Sequence, residues 1–229
     1  MIFLLLYIID VIVTIYAENC ELRMIQYGSK ILLMPLLAMF LYSQTKNISK
    51  FKLIYLALFF SWLGDILLMF PRNEQNLSTS KLLFVFGLIS FLIAHINYSI
   101  YFINEVKDDT KVTLLVGKPY LILPFCAYGI ILLSILYPSL ASMKLPVTCY
   151  TIIIMLMAMA AFNRKNIVNS TSFMLVFIGA IIFVCSDSCI AINVFYKPFN
   201  FARIAIMSTY TIAQFLIIYG VIKANEKIA

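Results

Sequence analysis

Four ionisable side chains stand inside long apolar stretches of this sequence: Lys30, Asp65, His95 and Asp187. Asp65 lies in Ser61-Trp62-Leu63-Gly64-Asp65-Ile66-Leu67-Leu68, and Asp187 in Phe183-Val184-Cys185-Ser186-Asp187-Ser188-Cys189. Such groups are costly in lipid unless paired or wetted, so their presence in a span points to function by default. Two carboxyl groups in a low-dielectric site can divide the roles of acid and base. That division suits acid-catalysed cleavage through an oxocarbenium ion. The same pair can also bind and release protons in a transporter. The plainer alternative is structural, with each Asp held by Lys30 or by Ser and Tyr hydroxyls. Two carboxylates at similar depth, with a lysine nearby, favour a functional role. Asp10 is assigned no role, and Met155, Met157 and Met159 are read as packing.

The elements that must position these residues follow from composition. The chain has 229 residues, 63% of them hydrophobic and 12% charged. Soluble domains run at about 45–50% apolar and about 25% charged. These values exclude a water-soluble globular protein, a disordered chain and a disulfide scaffold. They describe an all-α integral membrane protein. A β-barrel would alternate along segments of about 10 residues, whereas Leu82–Phe102 and Phe173–Phe195 are continuously apolar. The 17 Lys and Arg give a net charge of +7, but they are scattered among junctions without aromatic interleaving, so nucleic acid is excluded as a partner. The five Cys are odd in number and lack metal-ligand spacing, and they are expected as buried apolar thiols.

Spans are expected at 2–17, 28–43, 53–70, 82–103, 119–137, 147–162, 172–196 and 204–222, forming a single bundle of about eight helices in one domain over residues 1–229. The first lacks the basic n-region and cleavage site of a signal peptide. An even number of spans puts both termini on one side. That side carries Lys46, Lys50, Lys52, Lys107, Lys111, Lys118, Arg164, Lys165, Lys223 and Lys227. The other carries Arg23, Lys30, Arg72, Lys81, Lys144, Lys197 and Arg203, and the excess favours cytoplasmic termini. A bacterial cell membrane or an endoplasmic reticulum membrane would both suit this arrangement.

The third and seventh spans run in the same direction, so Asp65 and Asp187 both lean towards the face opposite the termini. Lys30 is expected to begin the second span on that face. Tyr210 and Gln214 stand one turn apart on the eighth span, and His95 shares its helical face with Tyr98 and Ser99. These groups are expected to converge in a cavity open to one leaflet.

Several hydrolytic designs are absent. An intramembrane zinc hydrolase needs about three His, and this chain has one. No Gly-x-Ser-x-Gly elbow, His-x-Lys pair, P-loop or dinucleotide fingerprint is present. The motifs that are present run in order: Lys30; Gly64-Asp65-Ile66-Leu67-Leu68-Met69; Ala94-His95-Ile96-Asn97-Tyr98; Tyr150 with Met157; Gly179-Ala180…Phe183-Val184-Cys185-Ser186-Asp187; and Tyr210…Gln214. Together they resemble the YhhN-like family, which includes the lysoplasmalogenases, over most of the chain from about Lys30 to Gln214. The family often has Pro directly after the lysine, whereas here Ile31 follows and Pro35 comes later.

The resemblance implies a multi-pass hydrolase that cleaves the vinyl ether bond of lysoplasmalogen. The products would be a fatty aldehyde and a glycerophosphocholine or glycerophosphoethanolamine. Asp65 and Asp187 would be the acid–base pair, His95 and Ser186 would orient water or a carboxylate, and Lys30 would meet the lipid phosphate. Tyr98, Tyr150, Tyr210 and Gln214 would bind or orient the substrate, a lysophospholipid entering from the bilayer. No metal or cofactor is expected. The alternative is a lipid or proton-coupled solute transporter using the two Asp. Transporters usually carry broken helices in related halves, and Gly64, Gly87 and Gly179 do not correspond in that way.

Overall fold

The computed structural model describes residues 1–69, 77–107 and 112–224. Phe70, at the end of the expected third span, lies outside these, as do Arg72, Lys111 and Lys227 of the charge comparison. The described chain is all-α, and eight of its helices are long and apolar enough to cross a membrane. Even an 18-residue helix such as α1 rises about 27 Å, close to the ~30 Å hydrocarbon core. The chain divides into two compact units, Met1–Tyr98 and Ser99–Ala229.

The first unit holds α1 (Ile2–Asn19), α2 (Arg23–Thr45), α3 (Lys52–Met69) and the first part of α4 (Leu77–Lys107). α1 packs on α2, and α2 on α3. α1 is polar on its inner side. Tyr7, Asp10, Thr14, Ala17 and Glu18 are buried, while Leu5, Ile8, Ile9 and Ile12 face outward. That inversion is what a lipid solvent permits, since the outward side chains meet hydrocarbon rather than water.

α2 contains Pro35 in its interior. Proline has no N–H, so the carbonyl four residues earlier loses its helical donor. That carbonyl belongs to Ile31, and the indole Nε1 of Trp62 on α3 donates to it at 2.9 Å. The polar gap made by Pro35 is thus closed by a side chain from the next helix. Beside it, Met34, Pro35 and Ala38 of α2 and Leu58, Phe59 and Trp62 of α3 line an apolar cleft of about 250 Å³. α3 and α4 approach closely at Gly64, where a Cβ would come within 2.6 Å of the Phe91 ring.

The second unit holds the end of α4, then α5 (Leu123–Leu136), α6 (Lys144–Asn163), α7 (Ser170–Ala191) and α8 (Ala202–Ala224). A π-helical turn, Ile192–Tyr196, extends α7. α7 and α8 pair extensively, because small residues let the backbones approach. A Cβ on Gly179 would lie 3.1 Å from the Ala213 carbonyl oxygen, and one on Gly220 would lie 3.0 Å from the Val176 nitrogen. Asn169 caps α7 by accepting from Ser172 N at 2.8 Å and donates to the Lys223 carbonyl at the end of α8.

Two expectations need correction. α2 begins five residues before the expected edge of 28, at Arg23, so Lys30 lies two turns inside the helix rather than opening it. The polar side chains of these first turns have a partner on α1, where Glu18 engages both Gln26 and Lys30. The cysteines are not buried: Cys20, Cys126, Cys149 and Cys185 are exposed and Cys189 is half-buried. In lipid, a small apolar thiol is as well placed outside as in. Arg164 stands in the junction after α6, as expected, and there it is fully buried, with Nε on Glu105 Oε2 at 2.7 Å and Nη2 on Ser172 Oγ at 2.9 Å.

Candidate functional site

In the first unit, the carboxylate is Asp65, in the last two turns of α3 and buried. Ser61, one turn earlier on the same face, is completely buried. α4 supplies His95 and Tyr98, also completely buried. α1 adds Tyr7, whose phenol lies in the electrostatic reach of Asp65, Asp10 and Tyr98. Tyr7 ties the first helix to the Asp65 region, and Asp10 accompanies it as a second carboxylate. Asp10 is buried, and its Oδ2 accepts no hydrogen bond.

Towards the end of α1, Glu18 forms a separate polar cluster. Its Oε1 accepts from Gln26 Nε2 at 2.6 Å and pairs with Lys30 Nζ at 3.3 Å. Its Oε2 is buried and has no hydrogen-bond partner.

In the second unit, the carboxylate is Asp187 on α7. The Tyr150 hydroxyl of α6 donates to Asp187 Oδ2 at 2.5 Å, a bond that fixes the orientation of the carboxyl group. Ser186 is fully buried and donates to the Ile206 carbonyl on α8 at 3.2 Å. Ser188, on the other side of Asp187, donates to Val184 O at 2.7 Å, and its Oγ lies 2.9 Å from the Tyr128 hydroxyl of α5. Tyr210 and Gln214 lie one turn apart on α8, both buried, and the Tyr210 ring meets Phe183 edge-on at 5.6 Å. The π turn begins five residues after Asp187. Such turns often mark functional sites.

The expected residues therefore fall into two sets, each described within its own unit. Asp65, His95 and Tyr98 belong to the first, with Lys30 engaged by Glu18. Asp187, Tyr150, Ser186, Tyr210 and Gln214 belong to the second. Sequence reasoning missed Tyr7, Glu18 and Gln26 and gave Asp10 no role. The signal was present: Tyr7, Asp10, Thr14 and Glu18 stand at near-helical spacing on one face of a largely apolar span. Among the described residues, no three His, Cys, Asp or Glu side chains gather as metal ligands.

Helices of this length with a carboxylate held by hydroxyl-bearing neighbours define a multi-pass α-helical membrane protein with polar chemistry inside its spans. The YhhN family profile matches residues 25–221, and the chain belongs to that family. Among curated proteins, it is 28% identical over 179 residues to lysoplasmalogenase TMEM86A of Bos taurus and 28% identical over 182 residues to that of Homo sapiens. Each match covers 76% of this chain and 67% of the relative. No solved structure matches. α1 lies before the matched family region.

Proposed function

We propose that this protein is a lysoplasmalogenase, an intramembrane hydrolase of the vinyl ether bond. The observation that carries the reading is one membrane-embedded carboxylate in each unit, Asp65 and Asp187, in a chain whose relatives are named lysoplasmalogenases. The family membership and these relatives support a lysoplasmalogenase-like hydrolase acting on lipid. The bond cleaved, the roles of the residues and the orientation are the finer parts of the proposal.

The chemistry balances with water alone. One carboxylic acid protonates the vinyl carbon remote from oxygen, giving an oxocarbenium ion. The other carboxylate takes a proton from water as the water oxygen bonds to the cationic carbon. The resulting hemiacetal loses the glycerol oxygen as its hydroxyl, leaving a fatty aldehyde and a glycerophospho head group. Asp65 and Asp187 are assigned to these two roles without ranking. Tyr150 orients Asp187, and Ser186, His95, Tyr98, Tyr210 and Gln214 orient water or substrate. Lys30 takes the phosphate as a point charge. The lipid enters from the leaflet opposite the termini, which lie in the cytoplasm. No metal enters this scheme.

The test is incubation of the purified protein with a lysoplasmalogen and with its saturated ether analogue. Aldehyde from the first alone is expected. Cleavage of an ester lysophospholipid at an equal rate would make the protein a general lipase and overturn the reading.

A further inference from the structure

The Glu18–Lys30 pair is unusual in what it leaves over. Glu18 is 5% exposed, yet Gln26 and Lys30 both engage the same oxygen, Oε1. Oε2 is buried without a hydrogen bond, an arrangement costly for a carboxylate unless something fills it. Lys30 Nζ is the reachable member of the pair, its side chain 15% exposed. The next residue on α2, Ile31, accepts the Trp62 indole, and Met34, Pro35 and Ala38 continue along the same helix into the α2–α3 cleft. Along α2 a cation thus precedes an apolar cleft, and beside the cation α1 sets a buried carboxylate with one oxygen free of hydrogen bonds.

We infer that Glu18, Gln26 and Lys30 form the head-group receptor for a single-chain phospholipid bearing a primary ammonium, an ethanolamine head group, with its hydrocarbon chain in the α2–α3 cleft. This deepens the lysoplasmalogenase reading and rests on it for the class of lipid. Paired with each other, the two charges are neutralised. On binding, the phosphate takes Lys30 and the ammonium takes Glu18, so one internal ion pair is exchanged for two intermolecular ones. A head group without an amine would draw Lys30 away and leave Glu18 buried without a counter-charge. A trimethylammonium has no N–H to donate and is too bulky to reach an oxygen as enclosed as Oε2. A primary ammonium carries three donors and meets both demands. The cleft, at about 250 Å³, lies near the small end of ligand cavities, ~300 Å³, which fits one hydrocarbon segment rather than two.

Trp62 is the sole tryptophan of the sequence and lines the cleft, so its emission reports occupancy directly. Full-length protein in nanodiscs is titrated with lysophosphatidylethanolamine, lysophosphatidylcholine and lysophosphatidic acid of one chain length. The ethanolamine lipid is expected to half-saturate at a concentration about ten-fold lower than either of the others, the worth of one hydrogen bond to a charged group. Glu18→Gln should reduce that ranking to less than about two-fold while all three lipids still bind. Glu18→Asp should retain it, and if Glu18→Gln binds nothing, the ranking of Glu18→Asp decides. Ala38→Phe should abolish the emission change by filling the cleft. Equal binding of the choline lipid, or an unchanged ranking in Glu18→Gln, overturns the inference. Because none of these ligands is a vinyl ether, the outcome is separate from catalysis. Aldehyde release without ranking removes the receptor and leaves the hydrolase, and ranking without aldehyde release does the reverse.

Discussion

Trp62→Phe keeps an aromatic ring against the cleft and deletes one N–H. That N–H is the side-chain donor to Ile31 O, whose helical donor is missing because residue 35 is proline. In hydrocarbon there is no water to replace it. A carbonyl left without a donor away from water costs about 1–3 kcal/mol. At about 2–4 °C per kcal/mol for a chain of this size, the midpoint of thermal unfolding in detergent should fall by roughly 2–12 °C. The decisive comparison is with Pro35→Ala. An alanine at 35 supplies the missing N–H, so it relieves Ile31 O in the Trp62→Phe background but adds little where the indole already donates. Pro35→Ala also raises helix propensity in both backgrounds, and the cycle cancels that common gain. Its stabilising effect should therefore be about 1–3 kcal/mol greater in the Trp62→Phe background than in the native one. Additive effects of the two substitutions would refute the idea that the indole replaces the proline's missing donor.

Gly179→Leu should drive α7 and α8 apart, because even a Cβ there lies 3.1 Å from the Ala213 carbonyl; loss of monodisperse protein in size-exclusion chromatography is expected, and a normal profile would contradict the contact. Arg164→Ala leaves Glu105 without its 2.7 Å partner and should cost about 3–5 kcal/mol, read as a fall in unfolding midpoint that Arg164→Ala/Glu105→Leu partly reverses; no recovery in the double variant would contradict a buried ion pair. Asp10→Leu removes a buried carboxylate whose Oδ2 has no hydrogen bond and should raise stability by about 1–3 kcal/mol; a lower midpoint would show that Asp10 has a stabilising partner. Tyr150→Phe deletes the donor to Asp187 and should lower kcat by about 2–10-fold, since a hydrogen bond contributes about 0.5–1.5 kcal/mol net; an unchanged kcat would separate Tyr150 from the chemistry.

The spans were legible because lipid imposes one rule, and runs such as Phe173–Phe195 obey it. Asp65, Asp187 and His95 were legible for the converse reason, as polar groups the same rule makes expensive. What escaped depended on who meets whom. The Trp62 indole caps a carbonyl 31 positions away, and nothing local to either helix announces it. The burial of Arg164 within its junction was not legible because its partner Glu105 lies 59 positions earlier. Lys30 read as opening a span that starts at 28 because its partner Glu18 sits on a different helix. The polar face of α1 was visible in the spacing of Tyr7, Asp10, Thr14 and Glu18, but a lone Asp near a chain end has little weight until its burial is known. The cysteines misled because burial rules learned from water do not hold in lipid.

The central claim is that two intramembrane carboxylates perform acid–base hydrolysis of a vinyl ether. Its most direct measurement is the initial rate of aldehyde release from lysoplasmalogen by the purified protein and by Asp65→Asn and Asp187→Asn, each shown to bind lysolipid through Trp62 emission. Each substitution should slow release by about 10²–10⁴-fold, the worth of a general acid or base, with binding retained. Full activity in both variants would contradict the account.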